Sequence, residues 1–197
     1  MLLPSAAGSR TIAGHELGAA DRAALLRLAR ETLTAWSGRR PLPALPDGAG
    51  ARERRGAFVT LTERGALRGC IGHLGSDRPL AEVVREMTVA AAQDDPRFPP
   101  VGPDEAGGLR LDISVLTDPQ TLDPVSPDRI AVGRDGLIVR RGVHSGVLLP
   151  QVAVEHGLDA AAFLSAACTK AGLAPAAWRE RGVEVLVFQA EVFGEPE

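Results

Sequence analysis

The chain has 197 residues, of which 45% are hydrophobic and 24% charged, and its formal net charge is −3. This composition is that of an ordinary globular protein with its own core, and the acidic balance argues against a general polyanion-binding surface. No apolar run reaches the length of a membrane span, and Met1 to Gly14 lacks the pattern of a signal peptide. Cys70 and Cys168 lie far apart, which fits a reducing cytoplasm rather than a disulfide framework.

Apolar residues at helical spacing predict two helices in the first half of the chain. The first runs from Ala19 to Ser37. The second begins after Ser76 or Asp77 and stops before Pro96, because a residue that precedes proline disfavours the α region. Residues 38–56, rich in Pro, Gly and Arg, predict a surface loop between them.

A hairpin is predicted from residues 57–62 and 67–71, joined by a turn at 63–65. Its second strand places Cys70 between Gly69 and Gly72, two residues after Arg68. Glycine inside a strand indicates a bulge or a close approach to the backbone. Arg68 would favour the thiolate if its side chain reached the sulfur, whereas a small buried core residue is the usual role of a free cysteine. Both interpretations stay open.

The second half of the chain predicts strands that pair as hairpins. Alternating residues predict a half-buried strand over 109–115, and a second hairpin is predicted from 130–132 and 137–139. Two helices follow, the later one capped by Asp159, and a closing strand over 183–193 is apolar on both faces and therefore central. The sequence predicts an α+β fold on antiparallel sheets, forming a single domain over 1–197 with an ordered core of about 18–195.

The loop after the second helix combines opposite charges, an aromatic ring and prolines. It contains Asp95, Arg97 and Phe98 among three prolines. One interpretation is a helix stop with an internal Asp–Arg pair, and the other is a rigid rim beside a cleft.

A thiol nucleophile needs a base or a cation and a group that orients that base. The candidates are listed here by type: the histidines His73, His144 and His156, and the carboxylates Asp94, Asp95, Asp112 and Glu155. Cys70 and His73 have a C-x₂-H spacing that His144 or His156 could complete as a three-ligand site, but no second half of a zinc signature follows, so no metal is expected. The common nucleotide-binding and hydrolase motifs are absent from the sequence, and no cofactor is expected.

Five motifs, in this order along the chain, resemble those of the AMMECR-type domain family. They cover nearly the whole chain and read Leu67-Arg68-Gly69-Cys70-Ile71-Gly72, Asp95-Pro96-Arg97-Phe98-Pro99-Pro100, Ile113-Ser114-Val115-Leu116-Thr117, Leu148-Leu149-Pro150-Gln151-Val152-Ala153 and Cys168-Thr169-Lys170-Ala171-Gly172-Leu173. The closing segments look most like the bacterial branch, in which the protein is encoded with a Memo-type protein and a radical-SAM enzyme.

The resemblance implies a compact two-lobed α+β fold, a cytoplasmic setting and these two possible partners, but no settled reaction. It puts the functional site on Arg68, Gly69, Cys70, Ile71 and Gly72. Bacterial relatives usually read Gly-x-His-Gly-Leu where this chain has Asp135 in place of the histidine, and Gly-Trp-Asp where it has Leu158 in place of the tryptophan. The simpler inference is that the histidine position is a turn residue.

Three functional hypotheses follow. The first is an accessory enzyme or enzyme subunit with Cys70 as nucleophile, redox thiol or covalent carrier and Arg68 binding an anion or the thiolate. Its binding surface would include Gly69, Ile71, Gly72 and His73, with Asp95, Arg97 and Phe98 as a rim. The second is a non-catalytic adaptor in which the hairpin is a docking surface. The third, an RNA- or nucleotide-binding module, is disfavoured by the acidic charge and the few aromatic residues.

Overall fold

The computed structural model describes residues 16–196, so the stretch Met1 to Gly14, expected to lack a signal peptide, lies outside the described residues. Within the described range, helices accompany strands that pair antiparallel, and the predicted α+β fold is confirmed. The elements are α1 (Ala19–Ser37), β1 (Ala57–Glu63), β2 (Ala66–His73), α2 (Leu80–Gln93), β3 (Arg110–Leu116), β4 (Gln120–Thr121), β5 (Asp135–Arg141), β6 (His144–Leu148), α3 (Pro150–Glu155), α4 (Ala160–Lys170) and β7 (Glu184–Gly194).

The chain divides into two compact units, and the first comprises residues 16–116 and 191–196. Its strands β2, β1 and β3 are neighbours in that order and pair antiparallel, with β2 at the edge of the sheet. Helices α1 and α2 cover one face of this sheet. The core they form buries aliphatic side chains from both layers, including Leu28, Leu33, Val83, Val84, Met87, Val59, Leu61, Ile113 and Val115.

The second unit comprises Thr117–Ala190 and has its own core. Strand β7 pairs with β4 and with β5, and β5 pairs with β6. The predicted central position of the closing strand is therefore confirmed. Its core joins the sheet to α3 and α4 through Leu137, Val139, Ala153, Phe163, Leu164, Cys168, Trp178, Val185 and Val187. The last residues of β7, from 191 onward, belong to the first unit.

The predicted second hairpin is wrong in its pairing. Residues 130–132 form no strand, and β5 pairs with β6 across a turn at Gly142, which has a φ of +58°. The carboxylate of Asp135 accepts the backbone N–H of Ala131 at 2.9 Å, and the Asp135 N–H donates to the Ala131 carbonyl. These bonds fold residues 131–135 into a local turn. The strand that begins at Asp135 therefore pairs with β6, which follows it in the chain, and not with residues 130–132.

The start of α4 agrees with the prediction, and the start of α2 differs from it. Asp159 caps α4 as predicted, because its carboxylate accepts the N–H of Ala162 at 2.8 Å. Helix α2 begins after Pro79 and has no side-chain cap, since the Ser76 hydroxyl accepts the N–H of Arg78 instead. Within residues 38–56, a single 3-10 turn forms at Gly50–Arg52.

Candidate functional site

A β-bulge at Arg68 decides which face of the sheet carries Cys70. The hairpin turn at Arg64 and Gly65 has positive φ at both residues, as a type I′ turn requires. Next to it Thr62 pairs with Leu67, but Leu61 pairs with Gly69, so Arg68 is the extra residue on β2. Without this extra residue Cys70 would lie opposite Val59, a core residue. With it, Cys70 lies opposite Thr60 on the other face.

The face of the sheet that carries Cys70 is opposite to the face that α1 and α2 cover, and it is polar. Cys70 is half-buried there, and the Thr60 hydroxyl donates to its sulfur across 3.3 Å. On the other side of Thr60 lies Asp112 of β3, which pairs with Arg110 at 3.1 Å. Cys70, Thr60 and Asp112 therefore form a row of polar side chains across three strands.

The buried carboxylate of Asp95 binds the backbone of Cys70 from the open side of β2. Its Oδ2 accepts the Cys70 N–H at 2.8 Å and Nη2 of Arg97 at 2.7 Å, and only 3% of Asp95 is exposed. Its Oδ1 accepts the backbone N–H and Nε of Arg97. The side-chain bonds to Arg97, with the backbone bonds from Cys70 and Arg97, outweigh burial and hold the pKa of this carboxyl far below its usual range.

Arg97 is the guanidinium next to the cysteine. Hydrogen bonding to Asp95 raises the pKa of Arg97, and the negative charge of the Asp95 carboxylate and of a Cys70 thiolate acts in the same direction, against burial. Half of the side chain, 53%, is exposed. The predicted internal Asp–Arg pair thus exists, and it anchors the loop to the strand that carries Cys70.

Arg68 is held by a different carboxylate. It forms a bidentate ion pair with Glu105, and only 13% of its side chain is exposed. This bond, with one from the Gly102 N–H, lowers the pKa of Glu105 against the opposing effect of burial. The Phe98 ring lies near both arginines, with its centroid 5.8 Å from Cζ of Arg68 and 5.5 Å from Cζ of Arg97.

The two glycines of the motif make room for neighbouring groups. A side-chain carbon at Gly69 would lie 2.2 Å from the carbonyl oxygen of Ala91 in α2, and one at Gly72 would lie 2.3 Å from the ring of Phe58. The close approach that the glycines indicated is therefore made at Gly69 by the backbone of α2 and at Gly72 by an aromatic ring. Ile71, between them, packs against the core.

The structure separates His73 from the thiol. His73 pairs with Ala57 and lies on the helix side of the sheet, with its Nε2 4.0 Å from a carboxylate oxygen of Glu86, whereas Cys70 lies on the opposite face. His144 and His156 belong to the unit Thr117–Ala190. Among residues 16–196, no group of three or more His, Cys, Asp or Glu side chains is arranged to hold a metal ion.

Asp135 is a structural residue of the second unit. It is 4% exposed and bonds to the Ala131 N–H, to Arg134 and to the side chain of Gln189. Its carboxylate therefore closes the turn at residues 131–135, and Asp135 itself is the first residue of β5. Cys168 is fully buried in α4, and burial raises the pKa of its thiol.

The structure brings together Cys70, Asp95, Arg97, Phe98 and Arg68. Sequence reasoning missed Thr60 and Glu105. Thr60 could be found only by knowing the bulge, because counting back from the turn places Val59 opposite Cys70. Glu105 lies 37 residues from its partner and belongs to none of the motifs, so no local signal pointed to it.

Together these features define an α+β protein with two cores and a conformationally fixed thiol on a polar sheet face. None of the helices in the described range is long and apolar enough to cross a membrane. The AMMECR1 family profile matches residues 26–193, and the chain belongs to this family.

Relatives and a solved structure agree with this assignment. The chain is 43% identical to protein Mbar_A1807 of Methanosarcina barkeri, over 88% of this chain and 90% of that one. It is 44% identical to a protein of Thermofilum pendens, over 91% and 92% of the two chains. It also resembles the crystal structure of an uncharacterised protein, PH0010 from Pyrococcus horikoshii, with a TM-score of 0.80, 41% identity and coverage of 87% and 89%. These relatives are archaeal.

Proposed function

We propose that the protein is a cytosolic accessory enzyme or enzyme subunit in which Cys70 acts as a nucleophile, redox thiol or covalent carrier. One observation carries this proposal. The thiol is half-buried on a polar face, accepts a hydrogen bond from Thr60, and has its backbone fixed by a buried carboxylate that a guanidinium neutralises. The thiolate is the reactive form of cysteine, so the alkylation rate of Cys70 tests the proposal directly.

In this proposal Arg68 is a positioning residue. Its ion pair with Glu105 and its contact with Phe98 support a role in fixing the loop that carries Asp95. Gly69, Ile71 and Gly72 set the position of the backbone, and His73 lies at the end of the strand.

A Memo-type protein and a radical-SAM enzyme are the proposed partners, and the bacterial branch of the family is the proposed origin. What supports both is the resemblance of the closing segments to that branch. The named relatives are archaeal, so these finer assignments rest on the motifs alone.

Alkylation by iodoacetamide, followed by peptide mapping of both cysteines in the native protein, tests the proposal. Cys70 is expected to react about tenfold or more faster than Cys168, which is buried. Thr60→Val is expected to slow Cys70, because it removes the donor to the sulfur, whereas Thr62→Val, next along the same face of β1, leaves the rate unchanged. Equally slow labelling of both cysteines contradicts the proposal.

A non-catalytic adaptor is the second candidate, and the exposed tip of the hairpin favours it. Leu67 is 41% exposed, and Pro99 and Pro100 are exposed beside Phe98. An adaptor keeps the activity of its assembled complex when Cys70→Ser is introduced. A folded but inactive complex with this variant excludes the adaptor.

A further inference from the structure

Arg97 and Cys70 share one hydrogen-bond acceptor. Oδ2 of Asp95 accepts Nη2 of Arg97 at 2.7 Å and the backbone N–H of Cys70 at 2.8 Å. The guanidinium and the cysteine are therefore neighbours through a single oxygen atom. Since Asp95 is buried, the separation between the Arg97 guanidinium and the Cys70 backbone does not depend on a flexible surface contact.

Only one edge of the Arg97 guanidinium is used by Asp95. Nε and Nη2 donate to the carboxylate, and Nη1 has no hydrogen-bond partner among residues 16–196. A guanidinium is a planar fork that can bind a second oxyanion along its other edge. With 53% of its side chain exposed, Arg97 presents that edge to solvent, whereas Arg68 is 13% exposed and is bound by Glu105.

The charges around Arg97 select the kind of anion. Residues 94–105 contain four carboxylates, Asp94, Asp95, Asp104 and Glu105, and one arginine, Arg97, while Arg68 of β2 is paired with Glu105. A doubly charged phosphate is repelled more strongly by this surplus than a singly charged carboxylate. The site therefore favours a ligand that carries a carboxylate.

We infer that Arg97 binds the carboxylate group of an anionic ligand and holds that ligand against the Cys70 thiol. The inference rests on the proposed function for the use of the thiol, but the binding of the carboxylate stands on Arg97 and Asp95 alone. Arg97 takes the anion-binding role that the sequence suggested for Arg68, because Arg97 is exposed and anchored beside the cysteine.

Two alkylating reagents of nearly equal size test this inference. Iodoacetate carries a carboxylate and iodoacetamide a neutral amide, and in both the thiolate displaces iodide and forms a carbon–sulfur bond. The iodoacetate rate at Cys70 is divided by the iodoacetamide rate, and this ratio is normalised to the same ratio for N-acetylcysteine. The normalised ratio is expected to be about 10, since a charge-assisted hydrogen bond supplies a factor of this order. Acetate should slow the reaction of iodoacetate but not that of iodoacetamide.

Arg97→Lys is the test variant, because it keeps a cation beside Asp95 and removes the fork. The normalised ratio of the iodoacetate rate to the iodoacetamide rate should fall most of the way to one, while the iodoacetamide rate itself changes little. Arg22→Lys is the matched control, since Arg22 is also a partly exposed arginine, 38%, paired with a carboxylate, Glu191, away from Cys70. The normalised ratio of the Arg22→Lys variant should equal that of the unmodified chain.

An NMR titration separates failure of this inference from failure of the proposed function. The Nε–H of Arg97 donates to Asp95 at 2.9 Å, so its signal should be protected, and Arg97→Lys identifies it. Acetate added at constant ionic strength should shift this signal to saturation. Slow labelling of Cys70 together with a saturable shift contradicts only the proposed function. A normalised ratio of one, or the absence of a saturable shift, overturns the inference.

Discussion

The carboxylate of Asp95 accepts four hydrogen bonds, one from Cys70 and three from Arg97, although only 2% of the side chain is exposed. A buried charge is tolerated only when it is paired and hydrogen-bonded, and here both conditions are met within two residues of sequence. The arrangement ties the Asp95 loop to the strand that carries the thiol, so one side chain sets the geometry of the site.

Asp95 should make stability depend on pH. Its folded pKa lies below its unfolded value, so its contribution is fully present above about pH 5 and is lost as the pH falls towards the folded pKa. Asp95→Asn is expected to lower the free energy of unfolding by about 2 kcal/mol at pH 7, and by less at pH 4. Urea unfolding at a series of pH values measures this.

Asp94→Asn is the control for that experiment. Asp94 is the adjacent carboxylate, but it is exposed, and its side-chain partner is Gln93. Its replacement should change the free energy of unfolding by less than about 0.5 kcal/mol at any of these pH values. An Asp95→Asn effect that is independent of pH would show that the carboxylate is not favoured by the folded state.

At the scale of elements, the contact between β2 and α2 depends on the absence of a side chain at Gly69. An alanine there would place its Cβ 2.2 Å from a backbone oxygen of α2, which cannot rotate away. Gly69→Ala is expected to lower the free energy of unfolding by about 1–3 kcal/mol, as other overpacked sites do. Chemical unfolding monitored by circular dichroism measures it.

Gly75→Ala provides the comparison for Gly69→Ala. Gly75 follows β2, and a side-chain carbon there meets nothing within 4 Å. The change should be close to neutral. Equal stability of the two variants would mean that α2 can move away from the sheet at little cost.

Most helices and strands could be predicted because their signals are local. The periodic apolar residues of α1 and α2, the Asp159 cap and the apolar closing strand each act within a few residues. Two features of the fold depended on contacts that periodicity does not encode. Asp135 folds back onto Ala131 and thereby changes the strand pairing, and the bulge at Arg68 transfers Cys70 to the other face.

Most residues of the candidate site could be predicted from the sequence, but Thr60, Glu105 and the connections between the residues could not. The motifs named Cys70, Asp95, Arg97 and Phe98, and the structure places them together. The sequence assigned the cation to Arg68, the nearest arginine along the chain. The pairing of Arg68 with Glu105, and of Arg97 with Asp95 beside Cys70, is a property of the folded loop.

At the scale of the whole molecule, each compact unit has one of the two tryptophans. Trp36 packs against the core of the first unit, and Trp178 is buried in the core of the second. Strand β7 contributes residues to both units, so its unfolding removes residues from both. We therefore expect the two units to unfold together, which is also what the predicted single domain requires.

Fluorescence of single-tryptophan variants tests this expectation. Trp36→Phe leaves a reporter in the second unit, and Trp178→Phe leaves one in the first. In each variant, the remaining tryptophan should give the same urea midpoint as circular dichroism of that variant. Separate midpoints within one variant would mean that the units unfold independently and that the chain is better described as two domains.

The bond between Asp95 and the Cys70 N–H has a further consequence for behaviour in concentrated solution. An edge strand with unpaired backbone groups is a template for a strand of another molecule, and such pairing leads to aggregation. At the edge formed by β2, the buried carboxylate of Asp95 already accepts a hydrogen bond from the Cys70 N–H on the open side of the strand. The Asp95 loop therefore leaves one fewer backbone N–H of this edge open to a strand of another molecule.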